Sequence, residues 1–252
     1  MNELTGNQQR IKDEFIRVRG TWAPQWESLL RQDSDFLEAY LHLSAVPLKK
    51  GFLEDKVKEF VYIAVNASST HLFVPGIQMH LKAAIDLGAT REELIEVIEL
   101  TSTVGIHAVN VGVPILREVL EEVGQFDAIQ VFDERQKRCR EDFIREHATW
   151  DASWEALLGL DPELFEKYSE FAAVPVRSGH LSPKVREFVL CALDAAATHL
   201  YEPGIKRHMH NAIRHGATAQ ELMEVLEIIS VIGIHGALIA VPMLETLLAP
   251  QA

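Results

Sequence analysis

Six of the eleven histidines in this 252-residue chain recur as three pairs. "THLFVPGIQMH" (70–80) sets His71 and His80 around Pro75-Gly76, and "THLYEPGIKRH" (198–208) sets His199 and His208 around Pro203-Gly204. The third pair is His107 and His235, each in "GIH" beside Gly105 or Gly233. An acid stands upstream in each copy, Glu59 in "VKEFVYIAV" and Glu187 in "VREFVLCAL". Imidazole titrates near neutrality, and a carboxylate on one ring nitrogen fixes its tautomer and raises its basicity. Together they are the outline of a general acid–base pair. Glu99 and Glu227, in "EVIEL" and "EVLEI", are repeated acids in apolar surroundings that could join the same pocket.

Helices must position these groups. Apolar residues recur at helical intervals and strand alternation is scarce. Pro75 and Pro203 lack an amide hydrogen and suit a helix start. Gly88 and Gly216 stand where a preceding helix ends in a left-handed turn. Thr90-Arg91-Glu92-Glu93 and Thr218-Ala219-Gln220-Glu221 are capping boxes, and Ser182-Pro183 reads as an N-cap with proline at the first helical position. The spacing predicts helices over about 55–70 and 75–87, a third starting near 91, and a bend or break at Gly105 before a last stretch to about 123, with the same pattern in the second copy. In such a hairpin Glu59 is ~18 Å along its helix from His71, so the two cannot share a ligand shell. Glu59 and His80, roughly equidistant from the turn, face each other, and Glu187 faces His208. His71 and His199 lie at the hairpin mouths, and His107 and His235 could close the pockets as substrate-binding groups.

Residue n matches residue n+128 without a gap from about Lys12 onward: "TWAPQWESLL" (21–30) answers "TWDASWEALL" (149–158), and "GAT" at 88–90 answers 216–218. The reading is all-α, with a first unit over 1–124, a linker over 125–138 and a second unit over 139–252, as two domains or one fused pseudo-dimer. The tryptophans read as core anchors, His210 and His215 as surface residues, and Cys191, which replaces Ile63, as buried and inert. The net charge is −13, with 37 acidic and 24 basic residues. That disfavours nucleic acid or an anionic membrane as a partner. No apolar run approaches the ~20 residues of a membrane span, the N-terminus has no apolar signal core, and two cysteines without a C-x-x-C argue against a disulfide framework or dithiol centre. These features suggest a cytoplasmic protein with a small-molecule substrate. Three histidines and a carboxylate per copy would also suit zinc, iron or manganese, with His71, His80, His107 and Glu99 as the set. No nucleophile elbow and no phosphate-binding glycine loop occurs.

The helix with "K-x-x-E-F", the histidine hairpin and "H-x-x-A-x-x-x-G-A-T" (His80 to Thr90, His208 to Thr218), followed by "x-x-E-[LI]-x-E-V", resemble the carboxymuconolactone decarboxylase family, which includes the alkylhydroperoxidase D-like proteins. The resemblance spans about 35–120 and 163–248. It implies two tandem alkylhydroperoxidase D-like helical units and a ring-like homo-oligomer, a homotrimer for a tandem chain. It also implies catalytic roles for Glu59, His80, Glu187 and His208. Redox members carry C-x-x-C in the turn before the helix histidine. This chain has no thiol there, and thiolate chemistry requires one, so the expectation is a carboxy-lyase and not a thiol peroxidase. The leading expectation is cofactor-independent acid–base chemistry on a small carboxylated or lactone-like metabolite, with His71, His107, His199 and His235 binding substrate. The rivals are a metal-dependent enzyme using the same histidines and a non-catalytic binding or assembly protein.

Overall fold

The computed structural model describes residues 3–125, 132–147 and 150–249, the side chain of His147 excepted. These residues fold as α-helices joined by short turns. The first half comprises α1 (Gly6–Arg19), α2 (Pro24–Gln32), α3 (Ser34–Lys50), α4 (Asp55–Ala67), α5 (Val74–Asp86), α6 (Arg91–Thr101), a 3₁₀ turn (Ser102–Ile106) and α7 (His107–Glu122). The second comprises α8 (Glu134–His147), α9 (Ala152–Leu160), α10 (Pro162–Ser178), α11 (Pro183–Ala195), α12 (Glu202–Arg214), α13 (Ala219–Ser230) and α14 (Ile234–Leu248). Helix α8 starts inside the stretch 125–138 assigned to a linker. Residues 126–131 of that stretch lie outside the described residues.

Local chemistry sets the helix ends. Thr90 and Thr218 form reciprocal capping boxes with Glu93 and Glu221, satisfying amides that a helix start leaves unpaired. Gly88 and Gly216 turn the chain at φ 82° and 85°. The hairpin turns are strained in both copies: Leu72 and Leu200 hold φ of 47° and 51°, a region that disfavours any side chain with a Cβ. The amides of Phe73 and Tyr201 bond back to the carbonyls of Asn66 and Asp194 at 3.0 and 2.9 Å, so the turn projects His71 or His199 at a fixed angle.

The halves interlock. Helices α4 and α11 pack against each other at the centre, while α7 leaves the first half to lie on α9 and α14 leaves the second to lie on α2. One apolar core runs from Phe15 and Trp26 through Val61 to Phe188, Val225 and Ile228, and Ile106 of the first half joins Phe143, Trp154 and Phe165 of the second. Two fully buried carboxylates bind the halves. Glu96 accepts from the amides of His180 and Leu181 at 2.7 and 3.0 Å and from Arg186 Nε at 3.0 Å. Glu224 accepts from the amides of Phe52 and Leu53 at 2.8 and 3.1 Å and pairs with Lys58 at 3.3 Å. Of the two architectures left open by the repeat, this is the fused pseudo-dimer.

By length and composition alone, the helical stretches Arg91–Glu122 and Ala219–Leu248 are apolar enough to cross a membrane, a signal the sequence reading missed. Each is broken by a turn into two helices that pack within the fold, with 56% and 39% of the most apolar window buried.

Candidate active site

The hairpin of each half brings its acid and histidine together. Glu187 from α11 meets His208 from α12 at 2.6 Å, Oε2 to Nδ1, and Asn211 Nδ2 donates to the other carboxylate oxygen at 3.3 Å. In the first half Glu59 meets His80 at 2.7 Å in the same way. The contact uses Nδ1, leaving Nε2 of each ring for a further partner. His80 and His208 are buried.

The remaining histidines pair across the halves, not within them. His107, at the start of α7, contacts His199 of the second half at 2.6 Å, Nδ1 to Nε2. His235, on α14, contacts His71 of the first half at 2.8 Å. Because each last helix crosses over, the expected pocket of His71, His80, His107 and Glu99 does not form: His71 and His107 belong to different sites. Glu99 and Glu227 do not join either site. Glu99 lines a shallow depression with Arg91 and His180, and Glu227 forms an ion pair with Lys50 across the halves.

Asp194, which the sequence reading did not single out, joins the second-half groups. Two turns along α11 from Glu187, it faces the same side. Its Oδ1 lies 3.6 Å from His107 Nδ1 and its Oδ2 lies 3.6 Å from His208 Nε2. Glu187, His208, Asp194, His107 and His199 thus form one continuous series. Asp194 is 1% exposed, and burial raises its pKa to about 6, with Glu187 adding to the rise and His208 and Arg207 opposing it. Burial, with His199, Arg207 and His208 nearby, lowers the pKa of His107 to about 3. Burial also lowers that of His199. Both imidazoles are therefore neutral at physiological pH. The Tyr201 ring stacks on His107 at 4.0 Å.

Asp194 also explains the glycine of the repeated Pro-Gly. A Cβ on Gly204 would lie 1.8 Å from Asp194 Oδ2, and one on Gly76 would lie 2.2 Å from Asn66 Oδ1. The glycine lets the first turn of α12 or α5 pack onto that side chain, while the proline opens the helix.

A cavity of about 390 Å³ adjoins the second-half series. Glu187, His208, Asp194, His107 and Arg207 line it, against apolar walls that include Leu190 and Trp154. His215, read from sequence as a surface residue, is exposed and stands at its rim. The first-half site is built differently. Tyr62 stands where the second half has Leu190, and its ring lies flat on His80 at 4.2 Å. Asn66 replaces Asp194 and donates from Nδ2 to the Tyr62 carbonyl at 2.8 Å. Met79 replaces Arg207. The cation comes instead from Arg19 on α1: burial disfavours its charge, but Tyr40, Tyr62 and Glu59 raise its pKa overall. Cys191 is buried and its thiol pushed up to about 12 by burial, with Asp194 and Glu187 adding. It cannot supply a thiolate nucleophile at neutral pH.

Fold and site define a class: a duplicated all-α chain in which two helical hairpins each present a histidine–carboxylate pair and exchange a third histidine. The profile of the carboxymuconolactone decarboxylase family matches residues 34–118 and 162–241. The chain belongs to that family. It is similar to a protein of Burkholderia xenovorans LB400 whose crystal structure is described as that of a candidate gamma-carboxymuconolactone decarboxylase subunit. The two are 51% identical over 96% of this chain and 97% of the other, with a TM-score of 0.92. No curated protein matches the chain.

Proposed function

We propose that the chain is a carboxy-lyase that decarboxylates a small carboxylated, lactone-like metabolite in the second-half cavity. The observation that carries this reading is the buried Glu187–His208 pair, with its Nδ1 engaged and its Nε2 3.6 Å from Asp194 Oδ2, at a cavity lined by Arg186, Arg207 and Arg214. Arg207 neutralises the substrate carboxylate and sets its orientation. The bond between the ring carbon and the carboxylate breaks, carbon dioxide leaves, and the electron pair passes into the adjacent unsaturated lactone. Protonated His208 then delivers its Nε2 proton to the carbon, and Glu187 stabilises the imidazolium before transfer. Each turnover takes up one proton, returned to His208 from solvent. The apolar walls favour loss of charge from the substrate by excluding water. His107 and His199 border the substrate.

In the first half Tyr62 covers the face of His80, which supports the second-half cavity as the working one. Exposed apolar side chains on α7 and α14, among them Val111, Ile115, Ile239 and Leu247, support assembly of several copies, a homotrimer by family resemblance. Light scattering on the purified protein reads that state. The reaction is tested by following carbon dioxide release and substrate loss with γ-carboxymuconolactone and related carboxylated lactones. Stoichiometric release is expected. Absence of release from every member of the panel would overturn the reading.

A further inference from the structure

We infer that the second half, and not the first, binds a divalent transition-metal ion through His107, Asp194 and His199. One ligand atom from each of these residues lies within 4.8 Å of the others. Two imidazoles and one carboxylate are the donor set that zinc and iron sites use.

The carboxylate of Asp194 lies between two imidazoles. It is almost fully buried; its Oδ1 faces His107 Nδ1 at 3.6 Å, and its Oδ2, which has no hydrogen-bond partner among the described residues, lies 3.6 Å from His208 Nε2. A buried carboxylate is strongly unfavourable unless a cation or a donor satisfies it. His107 Nδ1 and His199 Nε2 lie 2.6 Å apart, so the hydrogen bond between them uses the N–H of one ring and the lone pair of the other. When that proton moves to the far nitrogen of its own ring, both nitrogens present a lone pair to the same space, and an ion accepts both and neutralises the carboxylate. Tetrahedral zinc with bonds of about 2.0–2.1 Å puts its ligand atoms about 3.3 Å apart. The Asp194–His107 distance of 3.6 Å is already close to that, and the imidazoles need to part by roughly 0.7 Å. His199 is the least buried of the three residues, and rotation of its side chain can supply that movement. His107 and Asp194 both line the cavity, so a further coordination position faces it.

The first half is an internal control. His71 and His235 reproduce the imidazole pair at 2.8 Å, but Asn66 stands in the place of Asp194. A neutral amide whose Nδ2 is already spent on the Tyr62 carbonyl cannot supply the anionic ligand. At the three ligand positions themselves, the carboxylate is the one difference between the halves.

The assignment does not depend on the reaction proposed above, and its test does not read activity. Full-length protein, purified without a histidine tag and stripped with a chelator, is titrated with Zn²⁺ by calorimetry, with bound zinc counted by elemental analysis after desalting. Wild type is expected to hold one zinc per chain and to melt at a higher temperature with zinc than without. Asp194→Asn, which installs the first-half residue, is expected to bind at least about 100-fold more weakly, since loss of even an outer partner can cost that much. His199→Gln, at a turn position, is expected to do the same and serves if Asp194→Asn does not fold. Asn66→Asp is expected to raise the stoichiometry to two. Wild type that takes up no zinc, or an Asp194→Asn chain with unchanged stoichiometry and affinity, overturns the inference. A folded Asn66→Asp chain that still takes one zinc overturns the claim that the carboxylate distinguishes the halves.

Discussion

Replacing Gly204 by alanine probes how closely α12 rests on the buried carboxylate. The added Cβ would stand 1.8 Å from Asp194 Oδ2, with Tyr201 Cδ1 at 2.7 Å. Neither neighbour is free to yield: Asp194 is 1% and Tyr201 8% exposed. The first turn of α12 must therefore retreat by roughly 1 Å, disturbing the registration of His208 against Glu187. Overpacking of this kind costs about 1–3 kcal/mol, offset by the ~0.5–1 kcal/mol that alanine gains over glycine in a helix. A net loss of about 1–2 kcal/mol lowers the melting temperature of a chain this size by about 2–8 °C. Gly236→Ala, the same chemical change on α14 with nothing within 4 Å of the new Cβ, should leave the melting temperature unchanged or raise it. Asp194→Ala in the Gly204→Ala background should recover part of the loss, a coupling readable by a double-mutant cycle. Thermal melts followed by circular dichroism provide the assay. A Gly204→Ala protein as stable as Gly236→Ala would refute the claimed close approach.

Three other outcomes follow from the geometry. Glu96→Ala strands the amides of His180 and Leu181 and the Arg186 guanidinium at the junction of the halves. It should cost about 3–5 kcal/mol in urea unfolding, and a loss under about 1 kcal/mol would mean the carboxylate does not hold the halves together. Burial opposes ionisation of Glu93 and Glu221, but Lys56 or Lys184 and the capping threonine outweigh it and lower both pKa values below 4.5. Their contribution is therefore complete above pH 4.5 and disappears as the pH falls through the lowered values. The double variant Glu93→Gln/Glu221→Gln should be less stable than wild type by about 1–2 kcal/mol at pH 7 and should converge with it once the pH falls below the lowered values; a gap that persists in acid would contradict the sign. Leu190→Tyr copies Tyr62 of the first half, whose ring covers His80, and should lower kcat/KM by about 100-fold through misplaced substrate with the helical circular dichroism intact; full activity would show that the second-half cavity is not where substrate binds.

Much of the hairpin was legible because its signals are local. Helices α4 and α5 follow from the proline, the left-handed glycine and the capping boxes. The pairing of Glu59 with His80 follows from their equal distance from the turn, a register any antiparallel helix pair must keep. The partner of His107 was not legible, since a gapless repeat specifies the same contacts whether α7 folds back on its own half or crosses to the other. Asp194 was hidden for a different reason. It breaks the repeat, standing where the first half has Asn66, and lies in an apolar run that resembles plain core. The signal was an acid inside that run at seven residues from Glu187, which on a helix means the same face. Arg207 and Arg19 were hidden because the two halves draw their cation from different helices, so neither appears as a repeated residue.

The central claim, that the Glu187–His208 pair moves the proton, is tested most directly by the rate of carbon dioxide release from His208→Gln. The side chain is polar and near in size but cannot carry a proton to carbon. The account predicts a fall in kcat of about 10²- to 10⁴-fold, the usual worth of a general acid–base group, with the helical signal preserved. A folded His208→Gln enzyme within threefold of wild type, alongside an inactive His80→Gln, would place the chemistry in the other half and contradict it.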